Sequence, residues 1–354
     1  MIPELDGVDT VEIGTYEVYD GDGAVEEHTV HAYEIGDGPV EAFLVAGSHG
    51  DEIGSQYVAD ELVKELAEEE LDVSVAVVPD TNIFAQLYAE RGTSGRFKPD
   101  DPEQDDLNRV FETVRKGLDN DARREELHLT QQLGYDLLTY LEDAGDDACL
   151  VDMHTAAHPD RKMPQVRYKH AEWFDADEEE MRELAEASGL EYLVAEEKEH
   201  TPMLAAAAPA VGIPAVTIEI GGAEKPYDDR AHFREEDAEL YKESVRNILK
   251  EADVLPGEPP GTEVEKLGGL SRTYADTAGD VIYHREPGEA VASGETVAEL
   301  YQDGELVETY EARVDGVLEG RKDNGNPDEA YDAWATQGMR LFNVAELDQQ
   351  ARME

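Results

Sequence analysis

The chain has 354 residues and a formal net charge of −56, because 85 acidic residues outnumber 29 basic ones. A field of this sign repels nucleic acids and anionic membrane surfaces, so we expect neither as a partner. The single cysteine, Cys149, excludes an internal disulfide and any multi-cysteine metal site.

The composition also indicates the salt conditions in which the protein folds and the compartment in which it works. Apolar periodic segments recur throughout the chain, which argues against disorder, and an excess of surface carboxylates favours a protein that folds in high salt. The N-terminal segment MIPELDGVDTVEIG is acidic and lacks the regions of a signal peptide, and no apolar run approaches the roughly 18 residues of a membrane helix. We therefore expect a cytoplasmic protein from a halophile.

The predicted elements alternate, in chain order, between strands and helices. Three short strands at 11–46 are broken by Asp/Gly turns, as expected for β structure. The later strands are expected at 73–78, 148–154, 191–197 and 215–222, and the helices at 56–70, 129–144, 178–189 and 237–255. This alternation predicts an α/β fold with a mostly parallel or mixed sheet between helices.

The alternation stops at PGEPPGTE, residues 256–263, which has the composition of an interdomain linker. Short β segments follow it and have the pattern of a biotinyl/lipoyl-like barrel-sandwich. We therefore predict an α/β domain at 1–255, a linker at 256–263 and a small all-β domain at 264–354. A swinging-arm carrier needs a lysine at a hairpin tip, and neither Lys266 nor Lys322 lies in such a hairpin, so we expect no carrier function.

Three of the apolar runs end in a polar residue that a buried strand does not need: His49, His154 and Glu219. Ligand sites in open parallel sheets form beyond the carboxyl ends of the strands. His49 and Glu52 are three residues apart at a predicted helix start, so both side chains can reach one point on the same face. His49, Glu52 and His154 would give two imidazoles and a carboxylate with an open fourth position, which is typical of a catalytic zinc.

Each of these residues also has a purely structural explanation. Ser48 and Asp51 have the spacing of a capping box, which would fix the first turn of the helix that carries Glu52. His154 alone could be a hydrogen-bonded core histidine, and Glu219 could cap the turn that follows it. The coincidence of all of them at one sheet edge favours the metal site.

Four short motifs in order, HGDE, DLNRVF, DMHT and IEIG, resemble those of the succinylglutamate desuccinylase/aspartoacylase family of zinc carboxypeptidase-like amidohydrolases. The resemblance covers residues 40–225. It implies one zinc ion per chain on His49, Glu52 and His154, and it makes Glu219 the catalytic carboxylate. It also implies that Asn108 and Arg109 hold the substrate's carboxylate and that Asp106 orients a ligand histidine. The C-terminal β module would narrow access to the site, and Tyr283 or Tyr301 could reach the substrate from it.

The segment NIFAQLYAER departs from the family's Asn-Pro-x-Ala pattern. Asn82 matches, Ile83 replaces the proline, and Arg91 takes the place of the arginine that polarises the scissile carbonyl. The chain between Arg91 and Asn108 is longer than in the family, so Arg96 is an alternative for that role.

The resemblance implies zinc-dependent hydrolysis of the amide bond of a small N-acyl amino acid. The cationic side chains near the motifs favour an anionic substrate: Arg91, Arg96, Arg109 and Arg167, the last of which is also explained by a surface ion pair. A metallocarboxypeptidase that acts on peptide C-termini, or a non-catalytic zinc- or ligand-binding relative, are the alternatives. The oligomeric state, including a homo-oligomer, stays open.

Overall fold

The computed structural model describes residues 5–19, 25–87, 91–93, 105–118, 123–142, 148–157, 160–197, 200, 202–222, 233–323 and 332–348. Within these ranges the chain is a mixed α/β fold with a β-rich C-terminal region. No helix in the same ranges combines the length and the apolar character needed to cross a membrane.

Eight strands and seven helices are described before the C-terminal region. The strands are β1 (Val8–Tyr19), β2 (Val25–Ile35), β3 (Val40–Ala46), β4 (Ser74–Val78), β5 (Cys149–Ala156), β6 (Asp160–His170), β7 (Tyr192–Glu197) and β8 (Ala215–Gly222). The helices are α1 (Ile53–Leu66), α2 (Ile83–Leu87), α3 (Phe111–Leu118), α4 (Leu129–Glu142), α5 (Glu178–Ala187), α6 (Leu204–Ala207) and α7 (Glu235–Glu251).

Eight further strands make up the described part of the C-terminal region. They are β9 (Glu265–Tyr274), β10 (Gly279–Tyr283), β11 (Ala290–Val291), β12 (Thr296–Gln302), β13 (Glu305–Glu311), β14 (Gly316–Lys322), β15 (Ala333–Ala335) and β16 (Arg340–Leu347).

The large sheet has the strand order β1-β2-β4-β3-β5-β8-β6-β7-β9-β16-β14-β11. Its centre is parallel, since β3 pairs with β4 and β5, and β5 pairs with β8. The mixed sheet and the alternation of strands with helices are confirmed. The strand β6 was not predicted, and it is antiparallel to β8.

The two faces of the central sheet are covered by different helices. On one face, Leu44, Val151 and Ile218 pack in a core with α1, α5 and α7. On the other face, Phe43 and Leu150 pack with α3, α4 and α6. Side chains alternate between the two faces because successive residues of a strand point to opposite sides of the sheet. Towards the carboxyl ends of β5 and β8 the residues on the second face change from apolar to polar.

The sheet continues from the α/β region into the C-terminal region. β9 pairs in parallel with β7, and β6 pairs with β14 as well as with β7. The strands β6, β7, β9, β16 and β14 are therefore linked in a closed ring of pairings. A separate four-stranded sheet has the order β13-β12-β10-β15. The boundaries at 255 and 264 stay a prediction, and the strand pairing crosses them.

Glu319 of β14 is a buried carboxylate inside this ring. It accepts hydrogen bonds from Gln165 Nε2 at 3.1 Å, from an Arg167 terminal nitrogen at 2.9 Å and from Asn343 Nδ2 at 3.0 Å. The three donors come from β6 and β16, so one carboxylate joins the α/β region to the C-terminal region. Burial raises the pKa of Glu319, but the charges of Lys162 and Arg167 outweigh burial and hold it below its usual range.

We expect Glu319→Ala to lower the free energy of unfolding by about 3–5 kcal/mol, because it leaves the largely buried Arg167 guanidinium without its countercharge. Urea denaturation at constant salt measures this loss. Glu308→Ala, at an exposed position of β13, is the control and is expected to change stability by less than about 0.5 kcal/mol. Equal stabilities of the two variants would show that the contact between the regions is energetically neutral.

Candidate active site

The parallel strands β3, β5 and β8 bring three of the predicted site residues to one sheet edge. His49 lies in the turn after β3, while His154 and Glu219 are directly opposed in the ladder between β5 and β8. Parallel neighbours end at the same edge of a sheet, so residues that are far apart in sequence meet there. The fold therefore brings together what the apolar runs predicted.

The turn between β3 and α1 carries His49 and Glu52 and is tightly packed. A Cβ added at Gly50 would lie 2.0 Å from the backbone carbon of Ala85, so only glycine fits at that point. The prediction of a Ser48/Asp51 capping box is wrong. Glu52 itself is the N-cap residue of α1, without a side-chain cap, and Ser48 Oγ has no hydrogen-bond partner among the described residues.

Glu52 lies between the two histidines. Its Oε1 is 2.7 Å from His49 Nδ1, and its Oε2 is 2.7 Å from His154 Nδ1. All three side chains are buried, and their candidate ligand atoms lie within 4.8 Å of one another. Burial raises the pKa of Glu52, but the two imidazoles outweigh it and hold the pKa well below its ordinary value, so the carboxylate stays ionised.

The outer nitrogen of each histidine faces a different carboxylate. His49 Nε2 is 3.0 Å from Asp106 Oδ1, and His154 Nε2 is 3.1 Å from Asp152 Oδ1. A histidine that binds a metal through one ring nitrogen commonly donates the other N–H to a carboxylate, which fixes the ring. Two inward-facing Nδ1 atoms, one carboxylate and an aspartate that orients His49 therefore fit a metal site with an open position.

Arg91 lies at the exposed side of this cluster. Its Nε donates to Asp106 Oδ2 at 3.2 Å, and a terminal nitrogen donates to Glu52 Oε1 at 3.3 Å, while 47% of the side chain remains exposed. The guanidinium thus stands between the three-residue cluster and solvent. Arg96, the alternative for the same role, lies outside the described residues.

Asn108 and Arg109 lie in a short 3₁₀ turn, Leu107–Arg109, which Asp106 caps by accepting from the Asn108 backbone N–H at 2.9 Å. Asn108 is buried, with Nδ2 3.2 Å from His154 Nε2 and Oδ1 accepting from the Leu204 N–H. Arg109 is exposed and donates to the Asn108 carbonyl at 2.6 Å. The DLNR motif thus reaches the histidine cluster through Asp106 and Asn108 and presents a cation to solvent.

Glu219 forms an ion pair with Lys162, a residue of β6 that sequence reasoning missed. Burial raises the pKa of Glu219, but the positive charges of Lys162 and Arg167 outweigh burial and lower the pKa to about 2. Arg167 itself donates to Gln165 and Glu319, so its role in substrate binding stays a prediction. Only VRYKH, at the end of β6, alternates between apolar and polar residues, so the sequence held no signal for Lys162.

Tyr241 of α7 supports the same sheet edge from the opposite face. Its buried hydroxyl lies 3.1 Å from the carbonyl oxygens of His154 and of Ile218, the residue before Glu219. One side chain thus contacts the backbone at both strand ends. Of the two tyrosines considered in the C-terminal region, Tyr283 donates to the Leu341 carbonyl and Tyr301 donates to Glu299.

A mixed sheet that carries a His–Glu–His cluster and a neighbouring carboxylate beyond its parallel strands defines a candidate metallohydrolase. Residues 40–252, more than half of the chain, match the profile of the succinylglutamate desuccinylase/aspartoacylase catalytic domain. The chain belongs to the succinylglutamate desuccinylase/aspartoacylase family. The family resemblance inferred from the four motifs is therefore confirmed.

Solved structures with the same fold cover nearly the whole chain. A succinylglutamate desuccinylase from Silicibacter sp. TM1040 has a TM-score of 0.74 at 21% identity, covering 98% of this chain and 97% of its own. The product-bound ectoine utilization protein EutE (DoeB) from Ruegeria pomeroyi has a TM-score of 0.74 at 20% identity, with the same coverage. A succinylglutamate desuccinylase/aspartoacylase from Rhodobacter sphaeroides has a TM-score of 0.71 at 21% identity, covering 97% and 96%. No curated protein matches the sequence significantly.

Proposed function

We propose that this chain is a zinc-dependent deacylase that hydrolyses the amide bond of a small, anionic N-acyl amino acid. The observation that carries the proposal is the buried cluster of His49, Glu52 and His154, with Glu219 opposite His154 in the same sheet. Membership of the desuccinylase/aspartoacylase family supports the reaction class. Names of similar proteins, among them a succinylglutamate desuccinylase, support an acyl-amino-acid substrate.

His49, Glu52 and His154 would hold one zinc ion per chain. A bound zinc ion lowers the pKa of a water ligand from about 15.7 toward about 7 and polarises a carbonyl group. Asp106 fixes the ring of His49 through a hydrogen bond of 3.0 Å to its outer nitrogen, and Asp152 lies 3.1 Å from the outer nitrogen of His154. The protein's own contribution is thus a fixed set of donors around an open position.

Glu219 accepts a proton from the attacking water and later donates it to the leaving nitrogen. Arg91 stabilises the negative charge that develops on the amide oxygen. Its guanidinium is held by Asp106 and Glu52 and is half-exposed, so it can meet a substrate that arrives from solvent.

Asn108 and Arg109 hold a carboxylate of the substrate, and Arg167 is a further candidate for an anion contact. A guanidinium suits this task because its planar fork matches a carboxylate. Arg109 is exposed, whereas Arg167 would first have to leave Glu319. An anionic substrate approaches against the net charge of −56, so local cations at the site are needed to bind it.

We also propose details of the fold, the compartment and the partners on the basis of the sequence. The α/β region would be zinc carboxypeptidase-like, and the C-terminal region barrel-sandwich-like and placed so that it favours small substrates over long peptides. The protein would work in the cytoplasm, without nucleic acid or membrane partners, and its homo-oligomeric state is open.

Parallel assays on the zinc-loaded full chain test the proposal. We expect turnover of N-acetyl or N-succinyl amino acids and at least about tenfold lower kcat/KM for short peptides, because the site holds small acyl-amino acids best. The amine released from each substrate is measured at matched concentrations. A chain treated with a chelator is the control and is expected to lose activity and to regain it with added zinc.

Two alternatives give different results in the same assays. A metallocarboxypeptidase also needs a metal and a contact to the carboxylate of its substrate. It would release C-terminal residues from peptides faster than it cleaves N-acyl amino acids. A non-catalytic zinc- or ligand-binding relative would retain metal and show no turnover of either class. The presence of Glu219 argues against this last alternative, because binding a metal does not require it.

A further inference from the structure

Lys162 lies beside the candidate proton carrier, on a strand that holds none of the four family motifs. Its ammonium group pairs with Glu219 Oε2, and the two side chains are 22% and 15% exposed. Lys162 is a residue of β6 that is opposed by Gly221 of β8 on one side and by Gly320 of β14 on the other. It therefore stands where the α/β region and the C-terminal region meet at the site.

The glycine at position 320 leaves room for the lysine stem. A Cβ added there would lie 3.2 Å from Lys162 Cγ and 3.0 Å from the Arg161 carbonyl oxygen, both closer than ordinary contact. The aliphatic part of Lys162 thus runs along bare backbone of β14. This packing directs the ammonium group toward Glu219.

Two other cations near the site, Arg167 and Arg91, are each held by two side-chain partners. Arg167 donates to Gln165 and Glu319, and Arg91 donates to Asp106 and Glu52. Among the described residues, Lys162 makes its side-chain contact with one carboxylate, that of Glu219. The charge of Lys162 also acts on Glu319, but an incoming anion would have to displace only one direct contact of Lys162, that with Glu219.

That single partner is also the group that the reaction needs. An ammonium group that pairs with a carboxylate stabilises its ionised form, so Glu219 is a weaker proton acceptor while the ion pair is intact. A substrate carboxylate next to Glu219 would meet like-charge repulsion unless a cation lay between them. Lys162 is placed to provide that cation and, in doing so, to loosen its hold on Glu219.

We propose that Lys162 recognises a second carboxylate of the substrate, on the acyl group or on the amino-acid side chain, and thereby frees Glu219 for proton transfer. Lys162 is then a specificity-determining and positioning residue. The inference rests on the proposed deacylase function and deepens it. It predicts a preference for dianionic over monoanionic ligands, and a proton carrier that becomes available when the dianionic ligand is bound.

Calorimetric titration of the zinc-loaded full chain with succinate and with its half-amide, succinamate, tests the recognition step. We expect the wild type to bind succinate at least about tenfold more tightly, as for a charge-assisted hydrogen bond. Lys162→Met is expected to remove this preference, and Lys162→Arg to restore most of it. Lys322→Met is the matched control, since Lys322 has a similar exposure and pairs with Asp160 instead of Glu219.

Turnover of matched substrates identifies where the second carboxylate lies. N-acetyl-aspartate and N-acetyl-asparagine differ only in the side-chain charge, whereas N-succinyl-alanine and its succinamoyl counterpart differ only in the acyl charge. In the pair that uses Lys162, Lys162→Met should raise KM for the dianionic member at least about tenfold. The KM of the amide member, which lacks the second carboxylate, should change far less than that of the dianionic member, and Lys322→Met should leave both KM values at the wild-type level. A purely structural role of Lys162 would impair turnover of the two members equally.

The possible results distinguish a failure of the role of Lys162 from a failure of the proposed deacylase function. A succinate preference that survives in Lys162→Met, or that is absent from the wild type, overturns the role of Lys162. A Lys162-dependent preference without any deacylase activity overturns the proposed function and leaves the anion site standing. Metal content and thermal midpoint of Lys162→Met, compared with Lys322→Met, show whether the variant has kept its fold.

Discussion

Replacing Glu219 with glutamine is expected to lower kcat by about 10²–10⁴-fold while the metal content stays at the wild-type level. Glutamine keeps the size of the side chain but can neither take a proton from water nor return it to the leaving nitrogen. Glu219 is opposed to His154 in the β5–β8 ladder and is absent from the three-residue cluster, so its loss should not empty the metal site. Turnover and bound metal are measured on the same sample.

Glu112→Gln provides a matched control for this variant. Glu112 is also a lysine-paired carboxylate, with Lys116, and its side chain is 21% exposed against 15% for Glu219. We expect Glu112→Gln to retain wild-type kcat and metal content. Near-normal turnover in Glu219→Gln with metal retained would show that another group moves the proton.

The parts of the site that could be predicted from sequence are those that lie at the ends of buried strands. VEAFLVAGS, CLVDM and the strand before Glu219 are largely apolar runs, and each is followed directly by a residue that a buried strand does not need: His49, His154 or Glu219. Parallel pairing then places these residues at one edge without any further information. For the same reason His49 and His154 could be predicted to meet although 105 positions separate their numbers.

The parts that were missed depend on pairings between distant segments. β6 contains Pro164 and four charged residues among its first eight, so its local sequence does not indicate a buried strand. Its place between β8 and β14 is set by tertiary contacts, such as Lys162 opposite Gly320. Arg167 was considered a surface or substrate contact because its partner, Glu319, is 152 residues away.

The capping box failed for a local reason. Ser48 and Asp51 have the correct spacing, but the backbone turns after His49, and α1 begins only at Ile53. Glu52 is therefore the residue that precedes the helix, and its side chain lies between the histidines instead of capping the first turn. The local sequence favours a capping box at this turn, whereas the contacts of Glu52 with the two histidines need a different backbone geometry. The turn adopts the geometry that those contacts need.

We expect the loss of a histidine to weaken metal binding more than the loss of the aspartate behind it. His49 and His154 would supply direct donor atoms, whereas Asp106 and Asp152 contact the outer ring nitrogens. Loss of a direct donor removes one of three protein ligands. Loss of an orienting carboxylate leaves the ligands in place but frees a ring, at a cost of about 10–100-fold in metal affinity.

We therefore expect the His154→Ala variant to bind less than one zinc ion per chain and to lose deacylase activity. The Asp106→Asn variant should bind zinc about 10–100-fold more weakly, and excess metal should restore its activity. Bound metal is measured after dialysis, and affinity by competition with a chelator. His170→Ala is the control, because this histidine of β6 pairs with Glu178 away from the cluster. Stoichiometric zinc in His154→Ala would place the metal elsewhere. Equal affinities for Asp106→Asn and the wild type would mean that the contact between His49 and Asp106 does not contribute to zinc binding.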